Sequence, residues 1–223
     1  MEQRLLSIAS KLWPGLDLLD APERKHIVRE LAGIIYGTIL AMLGLGWLAL
    51  ATNLALLSAE WPTLLLMFIL AAVLNQLDFF WVVERRAGIY DRWIAQLGGL
   101  VTISAALLFG PTALWLGALL PLVKYAQLWR TRSMPTQRIL TMRNLVLNVS
   151  SFSIGSLIGL ALYEQLGGSF PLPGLGWPAG PLAVGAVVVL LGFDWLCWTC
   201  YLLIVGYTPL NRAGALELGL FAK

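Results

Sequence analysis

Residues 31–52 read LAGIIYGTILAMLGLGWLALAT, 22 residues without a charge. As a helix the stretch is about 33 Å long, enough to cross a hydrocarbon layer of about 30 Å. It follows a segment holding five of the basic residues, Arg4 to Arg29, and no small-residue cleavage site comes after it, so it reads as an uncleaved first transmembrane helix. The other basic residues fall in three further groups, Arg85 to Arg92, Lys124 to Arg143, and Arg212 with Lys223. Between these groups lie apolar runs whose turns, at 53–60, 110–112 and 164–180, contain no Lys or Arg. Alternation of this kind places the basic segments, and with them both chain termini, on the cytoplasmic side.

Composition agrees. The chain is 59% apolar, contains ten Trp and is only 12% charged, which exceeds what a soluble core needs. The formal charge of +3 is spread along the expected headgroup level, where contact with anionic lipid accounts for it and a nucleic-acid surface does not. The two cysteines both lie inside an apolar run, which excludes an extracellular disulfide framework.

The expected fold is all-α: a polytopic membrane bundle of six spans, or of four spans plus a re-entrant hairpin. Residues 1–30 form an amphipathic and juxtamembrane segment, 31–207 the transmembrane bundle, and 208–223 a cytoplasmic tail that stops early, as if truncated. Within the first segment, Leu5, Ile8, Ala9, Leu12 and Trp13 recur at helical spacing. Asp20 and Glu23 then resemble a capping box opening a second helix that runs into span one. Span two is expected from Trp61 to Val83, followed by a charged segment whose aromatics, Phe79 to Trp81, suit a helix end or an extended stretch equally. Residues 94–109 and 112–128 are two runs of 16 and 17 residues joined by Gly110-Pro111. Each reaches only about 24–26 Å, so a tight transmembrane hairpin and a re-entrant pair both fit. Span five covers 144–163, with Ser151, Gly155 and Gly159 on one close-packing face, and span six covers 182–207.

Asp194 is the sharpest site residue, because a carboxylate in the middle of span six needs a partner or an aqueous pocket. Ligand contact, ion coupling or proton exchange would use it; so would a structural hydrogen bond to Asn144, Asn148 or a serine of span five. Asn148 is the second polar candidate, while Trp177 and Trp195 offer flat contact area for an apolar ligand or simply belong to the interfacial belt. Asp78, at the inner end of span two, completes the ligand-binding set or joins a network with the nearby arginines. Cys197 and Cys200 read as inert core thiols, and no metal site, cofactor motif, phosphate loop or catalytic triad is expected; the chain is not read as an enzyme.

Three stretches, LVTISAALLFGPTALWLGALLPLV, RNLVLNVSSFSIGSLIGLALYEQLGG and LGFDWLCWTCYLLIVGY, resemble the membrane-associated sensor modules at the amino end of bacterial signalling proteins. Asn148 and Asp194 match the polar places of that pattern. The resemblance implies an inner-membrane input domain that recognises a small apolar or membrane-delivered ligand and passes the signal to a cytoplasmic enzyme or kinase domain, either as a fragment or as a stand-alone descendant. A homodimer would suit such a role. The six-helix outline is also similar to the substrate-binding subunit of energy-coupling transporters, which implies a transporter with separate coupling and ATPase subunits. A structural subunit of a membrane complex is the third class, marked by a glycine-faced contact surface.

Overall fold

The computed structural model describes residues 20–76, 78–86, 89–131, 135–174 and 176–205. The amphipathic segment expected at the amino end, the tail after 205 and His26's side chain lie outside the described residues. The elements are α1 (Ala21–Ala51), α2 (Leu54–Leu74), β1 (Asp78–Arg86), β2 (Ile89–Gln96), α3 (Gly98–Phe109), a 3-10 turn (Gly110–Ala113), α4 (Leu114–Thr131), α5 (Pro135–Gln165) and α6 (Ala179–Val205). Five helical segments are long and apolar enough to cross a membrane, with Gly98–Arg130 counted as one. The chain is a multi-pass helical membrane bundle.

α1 confirms a helix that starts before the apolar run and continues into it. Asp20 has the extended backbone of an N-cap, but its side chain makes no capping hydrogen bond; the reciprocal capping box is therefore not formed. The boundaries of span two differ from expectation. The helix begins at Leu54, where the Asn53 side chain accepts from the free backbone N–H groups of Ala55 and Leu56. It ends at Leu74, well short of Val83. Residues 78–86 instead form a strand paired antiparallel with 89–96, Trp81 opposite Trp93 and Val83 opposite Asp91. Consecutive aromatic and β-branched side chains favour the extended state, and once they pair across a ladder the helix has no reason to continue. The fold is helical with one small hairpin, rather than purely α.

Gly98–Arg130 is a folded-back pair. A methyl group placed on Gly98 would lie 3.3 Å from Leu120, a proximity impossible in one straight helix. The reversal occurs at Gly110, whose φ of 65° and ψ of −153° belong to a region that only glycine occupies freely. Gly98 also sits against Ala71 of α2 and Asn75 just after it, so α3 starts at the depth where α2 ends.

α5 is the axis of the bundle. More than half of its apolar window is buried, against 11% for α2. α1 runs parallel to it, as the rising pairs Gly37 with Leu147 and Gly44 with Ile154 show. α4 runs antiparallel, with Gly117 beneath Phe152 and Tyr125 hydrogen-bonded to Asn148. α6 is antiparallel too, and its seam has an unbroken four-residue rhythm: Ser151 meets Asp194, Gly155 meets Leu190, and Gly159 meets Ala186. The close-packing face expected on span five is the one that receives α6.

The base-free turns meet at one end. The Asn53 N–H donates to Thr112 Oγ1 (3.0 Å), Trp115 Nε1 donates to Thr52 Oγ1 (2.8 Å), and the Leu172 N–H donates to the Leu107 carbonyl (2.9 Å). Phe170 packs on Gly110. The helix directions put the basic ends of α1, α4 and α5 together at the opposite end. Trp115→Phe keeps the ring and removes its donor; it is expected to lower stability by about 1 kcal/mol, measured as a shift in the denaturation midpoint of the chain in mixed micelles.

Apolar side chains cover the outside: Leu65, Leu66, Ile69 and Val73 of α2, Met42 and Leu43 of α1, and Val184, Val188 and Leu191 of α6 are all exposed. In water such a surface would drive aggregation; a bilayer covers it.

Candidate functional site

α5 presents an unusual run of small polar residues to the interior: Ser150, Ser151, Ser153 and Ser156 are all buried. Two are satisfied within the helix, the Ser150 hydroxyl donating to the Leu147 carbonyl (2.9 Å) and that of Ser153 to the Val149 carbonyl (2.7 Å). These serve packing, since Ser153 lies directly under Gly44 of α1. Ser151 faces the other way. Its hydroxyl donates to Asp194 Oδ1 at 2.6 Å, the short distance of a bond to a carboxylate.

Asp194 therefore points into the α5–α6 seam and not toward lipid, with the structural partner that a serine of span five was expected to supply. Asn148 lies one turn toward the basic end of the bundle, and its Nδ2 donates to Tyr125 Oη of α4 at 2.9 Å. The structure brings these two residues onto adjacent turns around Ser151. It does not bring the tryptophans to them. Trp195 is 41% exposed on the outer face of α6, and Trp177 is 88% exposed in the turn before that helix. Asp78 opens β1, outside the helical bundle; its side chain is outside the described residues.

A cavity of about 20 Å³ lies one turn from Asp194 toward the end where the base-free turns meet. Ile103, Ala106, Leu114, Phe152, Ala186 and Leu190 contribute to its wall, and Ser156 is its one polar residue. The Ser156 hydroxyl has no hydrogen-bond partner. The walls come from α3, α4, α5 and α6, and α2 contributes none of these residues.

A second polar cluster, not anticipated from the sequence, closes the end of the bundle where the basic ends of α1, α4 and α5 gather. Glu30 is 2% exposed. Its Oε2 accepts from Tyr201 Oη at 2.7 Å and from Arg143 Nη1 at 3.2 Å. The same Nη1 reaches Tyr201 Oη (2.9 Å), the guanidinium lies 5.3 Å from the centre of the Tyr201 ring, and its other nitrogens bond Asn144 Oδ1 (3.0 and 2.8 Å). Three helices are tied by three side chains. Gly33 makes room for the Tyr201 ring, which a methyl group there would strike. Glu30 is thus buried where α1, α5 and α6 meet. The available signal was topological: Glu30 and Arg143 each open a span on the same side, so an acid and a base enter the membrane at one depth.

The chain matches no protein-family model, no curated protein and no solved structure. Its chemistry must be read from the site itself. Among the described residues, no three His, Cys, Asp or Glu side chains gather as metal ligands. Cys197 is buried and Cys200 half-buried, both as free thiols. What remains is a hydrogen-bonded carboxylate deep in an apolar bundle, a hydroxyl without a partner one turn away, and a small apolar cavity between them and the base-free turns.

Proposed function

We propose that the chain is a sensory input module of the inner membrane, crossing six times with both termini in the cytoplasm, and that it recognises a small apolar or membrane-delivered ligand at the α5–α6 seam. The observation that carries the reading is the Asp194–Ser151 pair beside a cavity with one unpartnered hydroxyl. A carboxylate is costly at bilayer depth, and a purely structural seam is made more cheaply from the glycine and alanine contacts that flank it. Six crossings are supported by the depth of α3 with its 3-10 turn, which runs from the level of Ala71 to that of Asn53, and by the return of α4 to the inner end. The basic ends of α1, α4 and α5 at one end support their cytoplasmic placement.

At about 20 Å³ the cavity is far smaller than the roughly 300–1,000 Å³ of ordinary ligand sites. Occupancy accordingly requires α6 to part from α5, with Asp194 and Asn148 orienting the ligand's polar atom. That displacement is the signal. It travels along α6 to the cytoplasmic tail and from there to an output partner. Trp177 and Trp195 then act as interfacial and lipid-facing contacts rather than as walls.

Native mass spectrometry of the chain released from its own membranes tests this reading. Wild type is expected to retain a small apolar adduct that Asp194→Asn and Asn148→Ala lose. Equal spectra from wild type and both variants would defeat it. Copurification with a membrane coupling protein and two ATPases would replace it with the transporter-subunit reading. Single cysteines placed at Ser58 and Arg130 check the topology: an impermeant thiol reagent added outside should label the first and spare the second.

A further inference from the structure

The cavity beside the α5–α6 seam has one uncovered flank. Leu114 of α4 and Leu160 of α5 are buried in its wall, whereas Ile103 and Leu107 of α3 and Val187 and Leu190 of α6 remain half-exposed. α3 and α6 form no packed seam with each other among the described residues. Exposed Leu100 and Leu108 on one helix and Val184 and Val188 on the other continue the two rims, so the flank between them faces hydrocarbon. The end toward the base-free turns is built differently. There the Leu172 N–H donates to the Leu107 carbonyl (2.9 Å), Tyr163 Oη donates to the Ser169 carbonyl (3.1 Å), and the Phe170 ring lies 5.3 Å from that of Tyr163. Phe170 and Leu172 also pack against Ala183 and Ala186 of α6. The turn 169–172 thus ties α3, α5 and α6 together over the end of the cavity that points toward water, and the gap between α3 and α6 is left uncovered.

Ser156 decides what the cavity accepts. It is 4% exposed and its hydroxyl has no hydrogen-bond partner, although Ser150 and Ser153 on the same helix bond carbonyls one turn back. A buried donor without an acceptor is costly. A water would need roughly two to four polar partners to settle there, and the wall supplies one polar residue. We propose that the gap between α3 and α6 is a lateral entrance from the bilayer, and that the cavity takes a lipid-dissolved molecule carrying a hydrogen-bond-accepting oxygen on an apolar frame, with Ser156 as its donor. A pure hydrocarbon would leave the hydroxyl unpaired, so the site discriminates against it. The inference deepens the seam reading and rests on it for the step from occupancy to signal: Ser156 holds the oxygen first, and the rest of the molecule follows as α6 parts from α5. It holds whichever end of the bundle is cytoplasmic.

The test uses the full chain in phosphatidylcholine nanodiscs and two photoreactive probes dissolved in the bilayer, a long-chain methyl ketone with a diazirine near its carbonyl and the matching hydrocarbon with the same diazirine. Labelling is mapped by peptide mass spectrometry. In wild type the ketone is expected to label α5 and α6 around the cavity about fivefold more than the hydrocarbon, the ratio that one hydrogen bond gives. Both should label exposed Leu65 and Leu66 equally. Ser156→Ala is expected to remove the ketone's preference; it deletes an unpaired group, so stability should be unchanged or higher. Ile103→Trp with Val187→Trp, at half-exposed rim positions, is expected to reduce cavity labelling by either probe and to leave Leu65 and Leu66 as before. A preference that survives Ser156→Ala would overturn the ligand assignment, and cavity labelling unchanged by the two tryptophans would overturn the entrance. Failure of the seam reading shows separately, as native adducts equal in wild type and Asp194→Asn while the ketone preference stands.

Discussion

Replacing Arg143 with methionine is expected to destabilise the bundle by about 3–5 kcal/mol, the cost of leaving a buried carboxylate without its counter-charge. Glu30 is almost fully buried and Arg143 stands 3.2 Å from it. Methionine preserves most of the stem's packing, so the loss reports charge rather than volume. The double variant Glu30→Leu with Arg143→Met should recover most of the loss, because an apolar pair of similar size has no desolvation cost to offset. Tyr201→Phe removes one hydroxyl between the two and is expected to cost about 1 kcal/mol. Unfolding of each variant in mixed micelles, with tryptophan fluorescence as the signal, checks all three. A double variant as unstable as the single one would show that the cluster holds the helices by shape and not by charge.

The second large effect lies in the α5–α6 seam. A methyl group at Gly159 would fall 2.6 Å from the Ala186 carbonyl oxygen, a backbone atom that cannot turn aside. Gly159→Ala is expected to cost about 1–3 kcal/mol, with Gly159→Leu costing more, since the helices must separate to admit the side chain. Gly192 supplies the contrast. It is in the same seam helix, yet nothing lies within 4 Å of its added methyl group, so Gly192→Ala should be neutral or stabilising by up to about 1 kcal/mol. Equal losses at the two positions would mean that the seam is looser than its geometry.

Much of this architecture was legible because lipid imposes strict rules. Spans of apolar residues, base-free turns and the small-residue face of α5 each follow from one constraint; the structure has five helices long and apolar enough to cross a membrane, gathers the base-free turns at one end and seats α6 on the small-residue face. Asp194 was legible for the same reason, as a charge out of place. Its expected partners were a few residues, and Ser151 is one that bonds it. The end of α2 was not legible, because Phe79 to Val83 are as apolar as any helix residues, and only pairing with 89–96 separates strand from span. Glu30 was hidden differently. At a helix start a charged residue is ordinary, and its burial depends on Tyr201 arriving from the far end of the chain. The outward direction of Trp195 follows from its neighbour: adjacent residues of a helix point about 100° apart, so Asp194 facing the seam turns Trp195 toward the outside.

The four-residue rhythm of the α5–α6 seam has a mechanical consequence. Glycine and alanine tracks of that period would let one helix slide past the other by a full turn, about 5.4 Å, and mesh again with similar contacts. The carboxylate of Asp194 does not tolerate that freedom. Slipped one notch, it would leave Ser151 and face either Leu147 or Gly155, neither of which offers a side-chain donor. The Ser151 hydroxyl thus acts as a detent on an otherwise repetitive rail, and whatever competes for it affects how easily the rail moves.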